Sequence, residues 1–315
     1  PSERWFWFEP SFHPGQSALL HKQPDNIYRI DLQLGWDADP EEEKKPENVI
    51  PRIKKALGNR DFEIDWVSVY TFQCRRVERF VHDRIIFVGD SAHVVSPFGA
   101  RGGNGGVQDV DNLGWKLAAV IKGQADARLL ESYNQERTHG ADENIKNSAR
   151  ATSFMSPKSD MEMMFRNEVL NLAGELPFAR KMINSGRLSA PCSLAGFDLQ
   201  TPAGDAPVEP GTAAVDAPLK SGAHSDWLLN RLGGEFVLAS FGGAGDCKVD
   251  GVRPLHISTM CSRDPDYLCD VTGLAAKRYG AGLSYLFRPD QHVAAVFDKP
   301  TPQAIEAARN KAMAV

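Results

Sequence analysis

Arg84-Ile85-Ile86-Phe87-Val88-Gly89-Asp90-Ser91-Ala92-His93 runs, after Val94, Val95 and Ser96, into Pro97-Phe98-Gly99-Ala100-Arg101-Gly102-Gly103-Asn104-Gly105-Gly106. The apolar residues 84–89 predict a buried strand that ends in Gly-Asp. A glycine-rich loop follows and opens a helix predicted over Gly106–Lys122, with Gly123 as its C-cap. Val110, Leu113, Leu117 and Ile121 share one face of that helix. Gly89 permits a sharp turn. Asp90, at the strand's C-terminal end, accepts hydrogen bonds from ligand hydroxyls. Gly102, Gly103 and Asn104 lie where backbone N–H groups lack intrahelical partners, and the helix dipole adds about half a positive charge there. The pattern suits a ligand with hydroxyls to bind and negative charge to stabilise. It is not a P-loop, because Gly-Lys-Ser/Thr is missing.

Upstream, residues 1–83 read as β-rich. Arg4–Glu9 is aromatic, and Ser17–His21 and Ile27–Leu34 are short strand-like runs around a turn at Lys22-Gln23-Pro24-Asp25-Asn26. Pro40–Lys45 reads as a charged loop. Asn48–Leu57 reads as a helix closed by Gly58-Asn59. Ile64–Phe72, with Trp66, Val67, Val69 and Tyr70, predicts a further strand that extends toward Arg79. Downstream, residues 84–198 become helix-rich, with helices expected over Ala127–Phe154, Asp160–Gly174 and Pro177–Ser185. Leu199–Gly222 is dense in Pro, Gly, Ala and Asp and reads as a linker or domain entry. Residues 199–315 then form a third region. Strands are expected at Glu235–Phe241 and Leu255–Thr259, with a hairpin of Tyr285–Arg288 and Val293–Phe297. The closing helix spans Thr301–Met313, with Thr301 as N-cap and Pro302 at its first position.

The 315 residues suffice for two domains and a sizeable core. A net charge of −5 with scattered basic residues disfavours nucleic acid as a partner. No apolar run reaches the roughly 18–20 residues that span a bilayer, so no membrane association is expected and a cytoplasmic location is. Cys74, Cys192, Cys247, Cys261 and Cys269 show neither CxxC nor zinc spacing, which predicts reduced thiols and no metal. The chain opens without Met, in strand-like sequence, and this predicts a part of a longer protein.

Gly89-Asp90-Ser91-Ala92-His93, Pro97-Phe98-Gly99 and Gly102-Gly103-Asn104 resemble the FAD-binding Gly-Asp motif of the single-component flavoprotein aromatic hydroxylases. The likeness extends through Asp109, Asp111, Asn112, Leu113, Trp115 and Lys116, and through residues 130–137. Residues 285–294 are similar to the end of the thioredoxin-like domain in the phenol hydroxylase and 3-(3-hydroxyphenyl)propionate hydroxylase branch. The resemblance implies an α+β fold. Part of the FAD and substrate domains, an antiparallel sheet plus helices, would be followed by a thioredoxin-like C-terminal domain. It implies FAD as cofactor and NADH or NADPH as reductant, with O2 and a small phenolic substrate as reaction partners. Asp90 would hold the ribityl chain, Pro97 and Gly99 would border the isoalloxazine, and Gly102, Gly103 and Asn104 would donate N–H groups to its pyrimidine edge. The family's opening GxGxxG segment is absent here, so a missing N-terminal segment is an expected partner, with a homodimer as a further expectation. This polypeptide alone is expected to bind FAD weakly or not at all.

Other residues admit plainer readings. His93 suits a structural hydrogen bond more than acid–base catalysis. Trp5 and Trp7 suit either a core or a substrate pocket. Gln73 and Arg75 are pocket candidates, and Arg75 suits a substrate carboxylate or a surface ion pair alike. Cys261 and Cys269 are spaced too widely for a redox pair, which makes the C-terminal domain a structural or dimer element. No catalytic base is assigned. Two other functions fit the same residues: a non-catalytic interaction module, and a flavin-dependent epoxidase or other oxidoreductase of this fold.

Overall fold

The computed structural model describes residues 2–35, 37–58, 60–183, 191–222, 224–242, 247–260 and 267–315. In chain order, β1 (Trp5–Trp7), β2 (Ala18–Lys22) and β3 (Tyr28–Leu32) precede α1 (Pro40–Glu43) and α2 (Pro46–Leu57). The short strands β4 (Arg75–Arg76), β5 (Val81–His82), β6 (Ile85–Ile86) and β7 (His93–Val94) follow. Next come α3 (Arg101–Ile121), α4 (Arg128–Met155), α5 (Asp160–Ala173) and α6 (Pro177–Ile183). The C-terminal region holds β8 (Pro218–Ser221), β9 (His224–Trp227), β10 (Phe236–Phe241), β11 (Val252–Ser258) and β12 (Tyr267–Cys269), then α7 (Leu274–Tyr279), β13 (Ser284–Phe287), β14 (Val293–Phe297) and α8 (Pro302–Ala312).

Two compact units result, each drawn from three stretches of chain. The first comprises Pro1–Cys74, Val95–Gly99 and Asn147–Leu188; the second comprises Arg75–Val94, Ala100–Lys146 and Ser189–Val315. In the first unit β1, β2 and β3 form an antiparallel sheet. Asp25 and Asn26 both take left-handed φ in its predicted turn, as residue types that tolerate that region do. Ala18, Leu19 and Leu20 are buried on the central strand.

The second unit is built around a seven-stranded mixed sheet of order β14-β13-β10-β11-β12-β8-β9. β10, β11 and β12 run parallel, β13 pairs antiparallel with β10, and β14 pairs antiparallel with β13. All six residues of β10 are buried, as expected for a strand covered on both faces. One side packs Val237, Ala239, Phe241, Leu255, Tyr279 and Tyr285. The other packs Phe236, Leu238, Leu286, Ala295, Ile305 and Ala308 beneath α8. Thr301 caps α8 as expected, its hydroxyl accepting from the Ala304 N–H at 3.2 Å.

Several expectations are corrected. Pro40–Lys45 is not a loop throughout, because Pro40–Glu43 is helical and the Asp39 carboxylate caps it through the Glu41 N–H. Ile64–Phe72 forms no strand, since no ladder partner stands beside it among the described residues; Trp66 and Tyr70 are exposed. The strand expected at 84–89 shrinks to Ile85–Ile86, paired only with β5, and Ile85 is exposed. Leu199–Gly222 is no slack linker. Thr201, Gly211 and Ala214 donate backbone hydrogen bonds to Ala294, Val293 and Gln291, and Leu199, Gln200 and Val208 are buried. Asn59, Ser185 and Cys261 lie outside the described residues.

Candidate flavin site

Gly89 takes φ +57 and begins a 3-10 turn, Gly89–Ser91, closed by the Ala92 N–H on the Gly89 carbonyl at 2.8 Å. The Ser91 hydroxyl reinforces the turn, donating to the Val88 carbonyl at 2.7 Å and accepting from the Val88 N–H at 3.1 Å. Asp90 is exposed on this turn, and its carboxylate makes no hydrogen bond to the described residues. That leaves its full acceptor capacity for a ligand.

α3 starts at Arg101, inside the glycine run and five residues earlier than the sequence suggests, because Ala100 at φ +53 provides the cap conformation. No side chain caps it, so the N–H groups of the first turn, those of Gly102 and Gly103 among them, are not satisfied within the helix. The Asn104 side chain donates back to the Ala100 carbonyl at 2.6 Å.

The glycines divide into two roles. A Cβ on Gly103 would meet nothing within 4 Å, so the helix start is open there. A Cβ on Gly105 would lie 3.1 Å from His93 Cε1 and 3.3 Å from Asn144 Nδ2, and one on Gly106 would lie 3.4 Å from the Gly89 Cα. Gly105 and Gly106 therefore allow the Gly89–His93 segment to sit directly on α3. Gly103, Gly106, Val107, Val110 and Asp111 line an open hollow of about 500 Å³ along the outer face of the helix.

In the first unit, the Ser96 hydroxyl hydrogen-bonds those of Ser148 and Thr152, each at 2.7 Å, and holds the start of the Ser96–Gly99 segment on α4. Pro97 is exposed there, and Gly99 takes φ +85. Trp5 is half-exposed, with its ring against Trp7. Trp7, Phe12, Leu20 and Ile30 enclose a void of only about 10 Å³, room for a single water and not for an aromatic ring. Gln73 lies exposed on the unpaired segment of the first unit. Arg75 is exposed on β4 of the second unit. The ion pair of that region belongs to its neighbour, as Arg76 binds both oxygens of Asp142 at 2.6 and 2.9 Å.

His93 is buried and structural, its Nε2 2.7 Å from Asp109 Oδ2. Asp109 also accepts from Arg137 Nε at 2.6 Å and from the Gly89 N–H at 2.9 Å. Burial alone would raise the Asp109 pKa, but the His93 hydrogen bond and the Arg137 guanidinium outweigh it and hold the carboxyl below its ordinary range. A second buried cluster ties α3 and α4 to the β13–β14 hairpin. Glu136 receives Arg288 on both oxygens at 2.7 and 2.9 Å and Lys116 at 2.7 Å. Arg288 also grips Asp290, which accepts from Trp115 Nε1 at 3.0 Å. Burial opposes ionisation of Glu136, but Arg288 and Lys116 overcome it and drive its pKa down. Burial pushes the Lys116 ammonium down to about 8.

These charged residues are what the periodicity argument misses. It places Val110 and Ile121 inside, whereas both are exposed and the buried face is Gly105, Asp109, Asn112, Leu113, Lys116 and Ala119. Asp109, Asn112 and Lys116 recur at helical spacing beside Leu113, and that polar stripe was the available signal. The expectation of reduced thiols also fails at one position. Cys269 is disulfide-bonded, whereas Cys74, Cys192 and Cys247 are free.

Residues 13–148 match the protein family described as FAD binding domain. A 3-(3-hydroxy-phenyl)propionate/3-hydroxycinnamic acid hydroxylase of Comamonas testosteroni is 34% identical over 166 residues, 52% of this chain and 28% of the relative. The same-named hydroxylase of Escherichia coli K12 is 34% identical over 165 residues, 29% of its length. The matches thus span less than a third of these curated relatives. Among solved structures, aklavinone-11 hydroxylase in ternary complex with FAD and aklavinone superposes with a TM-score of 0.73 at 20% identity, covering 96% of this chain and 58% of that one. The flavin-dependent monooxygenase PieE, in complex with FAD and substrate, gives 0.69 at 19% identity, covering 94% and 60%. At these identities the structures establish the fold. The segment similar to that family contains the Gly89–Asp90 turn and the open start of α3. No described helix is long and apolar enough to cross a membrane.

Proposed function

We propose that this chain is part of an FAD-dependent monooxygenase that hydroxylates a small phenolic substrate, using NADH or NADPH and O2. The observation that carries the reading is the exposed, uncommitted Asp90 carboxylate on a turn packed against the uncapped, glycine-lined start of α3. Asp90 would hold the ribityl hydroxyls. Gly102 and Gly103 would donate N–H groups to the flavin's pyrimidine edge, with Asn104 beside them. When bound, FAD supplies the redox and oxygen chemistry. The chain supplies position and a positive helix terminus for negative charge.

The ADP half of the cofactor is assigned to a further segment of the same protein that carries the dinucleotide fingerprint. Supporting this, the open hollow along Gly103, Gly106, Val107 and Val110 leaves that face of α3 uncovered. The C-terminal sheet is read as thioredoxin-like, a reading its parallel β10–β11 pair extended by the antiparallel β13–β14 hairpin and α8 supports. Arg75, exposed on β4, is the candidate for a substrate carboxylate such as that of a hydroxyphenylpropionate.

Visible-absorbance titration with FAD, on the chain alone and on a protein that also carries the dinucleotide-binding segment, tests the cofactor assignment. The longer protein is expected to retain FAD and to hydroxylate members of a phenol panel that includes 3-(3-hydroxyphenyl)propionate. An epoxidised product without ring hydroxylation would overturn the substrate class, and absence of any flavin binding would overturn the cofactor.

A further inference from the structure

We infer that Asp109 is a positioning residue, which clamps the Gly89–Asp90 turn to α3 and so sets where the Asp90 carboxylate stands. The inference rests on the flavin reading above for its functional meaning and on geometry for the clamp itself. Asp109 is fully buried and contacts three partners, two in the Gly89–His93 segment and one on α4. The Gly89 N–H donates at 2.9 Å, His93 Nε2 lies at 2.7 Å, and Arg137 Nε of α4 donates at 2.6 Å.

The Gly89 contact fixes the residue immediately before Asp90. The His93 contact fixes the other end of the same short segment. One carboxylate therefore holds both ends of the five-residue stretch that presents Asp90, while Arg137 anchors that carboxylate from the far side. Gly105 and Gly106, one helical turn before Asp109 on the same face, admit the segment at van der Waals distance. Glycine, glycine and aspartate thus form one docking surface on α3. Two of the glycines in the loop serve packing against the turn and not the ligand. A backbone amide held by a buried charged acceptor is among the stronger hydrogen bonds available to a turn. Its loss loosens a segment otherwise tied by the short β4–β7 ladder, the Val77–Ala92 backbone bond, the Val88–Ser91 contacts and the packing of Ala92 and His93 against Phe80.

The test uses hydrogen exchange of residues 88–94 in the flavin-free chain, followed by FAD titration of the longer protein carrying the dinucleotide-binding segment. Asp109→Asn keeps the size of the side chain and removes its charge. It is expected to speed exchange of the Gly89 amide at least tenfold and to weaken FAD binding about tenfold, with Asp109→Glu recovering part of both. Exchange at Gly89 unchanged by Asp109→Asn overturns the clamp, whatever the flavin does. Faster exchange with unchanged FAD affinity overturns the positioning role. If Asp90→Ala also leaves affinity unchanged, it is the ribityl reading of Asp90 that has failed, and the exchange result still stands for the clamp. If Asp109→Asn does not fold, Gly105→Ala replaces it, because a Cβ there would stand 3.1 Å from His93 Cε1 and displace the ring that Asp109 holds. Faster exchange across 88–94 then supports the clamp, and unchanged exchange overturns it.

Discussion

The two units bury their surfaces very differently. All four buried apolar clusters consist of residues of the second unit. That unit also encloses paired charges, with Lys116, Glu136 and Arg288 fully buried and every partner satisfied among the described residues. The first unit instead exposes Trp66, Tyr70 and Phe72 on an unpaired extended segment, and Met161, Met164, Phe165 and Phe178 on α5 and α6. Closed burial makes the second unit the stable frame on which the Gly89–Asp90 turn is mounted.

The largest effect expected from this contrast is at Arg288. Arg288→Met removes the shared cation, leaving Glu136 with Lys116 and Asp290 without its guanidinium partner in the interior. Breaking a buried pair this way costs about 3–5 kcal/mol, read as a drop in the urea midpoint. A loss under about 1 kcal/mol would break the claim that the second unit depends on its buried charges.

Acid comes next. Glu136, Asp109 and Asp290 are held below their ordinary values, 4.5 for Glu and 3.8 for Asp. Groups shifted this way stabilise the fold above those values and lose that contribution as pH falls through their lower, folded values. Urea unfolding of the second unit should therefore weaken steadily as pH drops below about 4.5. Lys116 is also shifted down, so its slope has the same sign in a higher pH window. Its pKa of about 8, under an ordinary 10.5, means the unfolded chain binds more protons in that window. This group alone makes stability rise between those two pH values, and Lys116→Met should flatten the slope there.

The smallest effect is expected in the first unit. Trp66→Ser on the exposed segment should change stability by no more than about 0.5 kcal/mol, the range for surface positions. A cost above about 2 kcal/mol would show that the segment is packed and would erase the contrast.

Much of this was legible in the sequence. The C-terminal hairpin and the Thr301 cap follow from local chemistry and appear as expected, whereas the strand before Gly89 is shorter and α3 starts earlier, inside the glycine run. The Gly-Asp motif read from residues 89–104 lies within the segment that matches the FAD-binding family. What sequence reading missed depends on distant partners. Ile64–Phe72 has the alternation of a strand but finds no ladder among the described residues, since pairing is not a local property. The face of α3 was misjudged because apolar periodicity ranks Val110 above Asp109, whereas Gly89, His93 and Arg137 satisfy Asp109 only in the fold. Composition left Leu199–Gly222 open between a linker and a domain entry, and backbone acceptors on β14 tie it into the second unit.

The central claim is that the Asp90 carboxylate, mounted on the second unit, holds the cofactor. The direct measurement is the FAD dissociation constant of Asp90→Ala against the unaltered protein, both carrying the dinucleotide-binding segment. Loss of hydrogen bonds to a charged acceptor should weaken binding by about tenfold or more, with the urea midpoint unchanged because Asp90 is exposed. An unchanged dissociation constant would contradict the assignment.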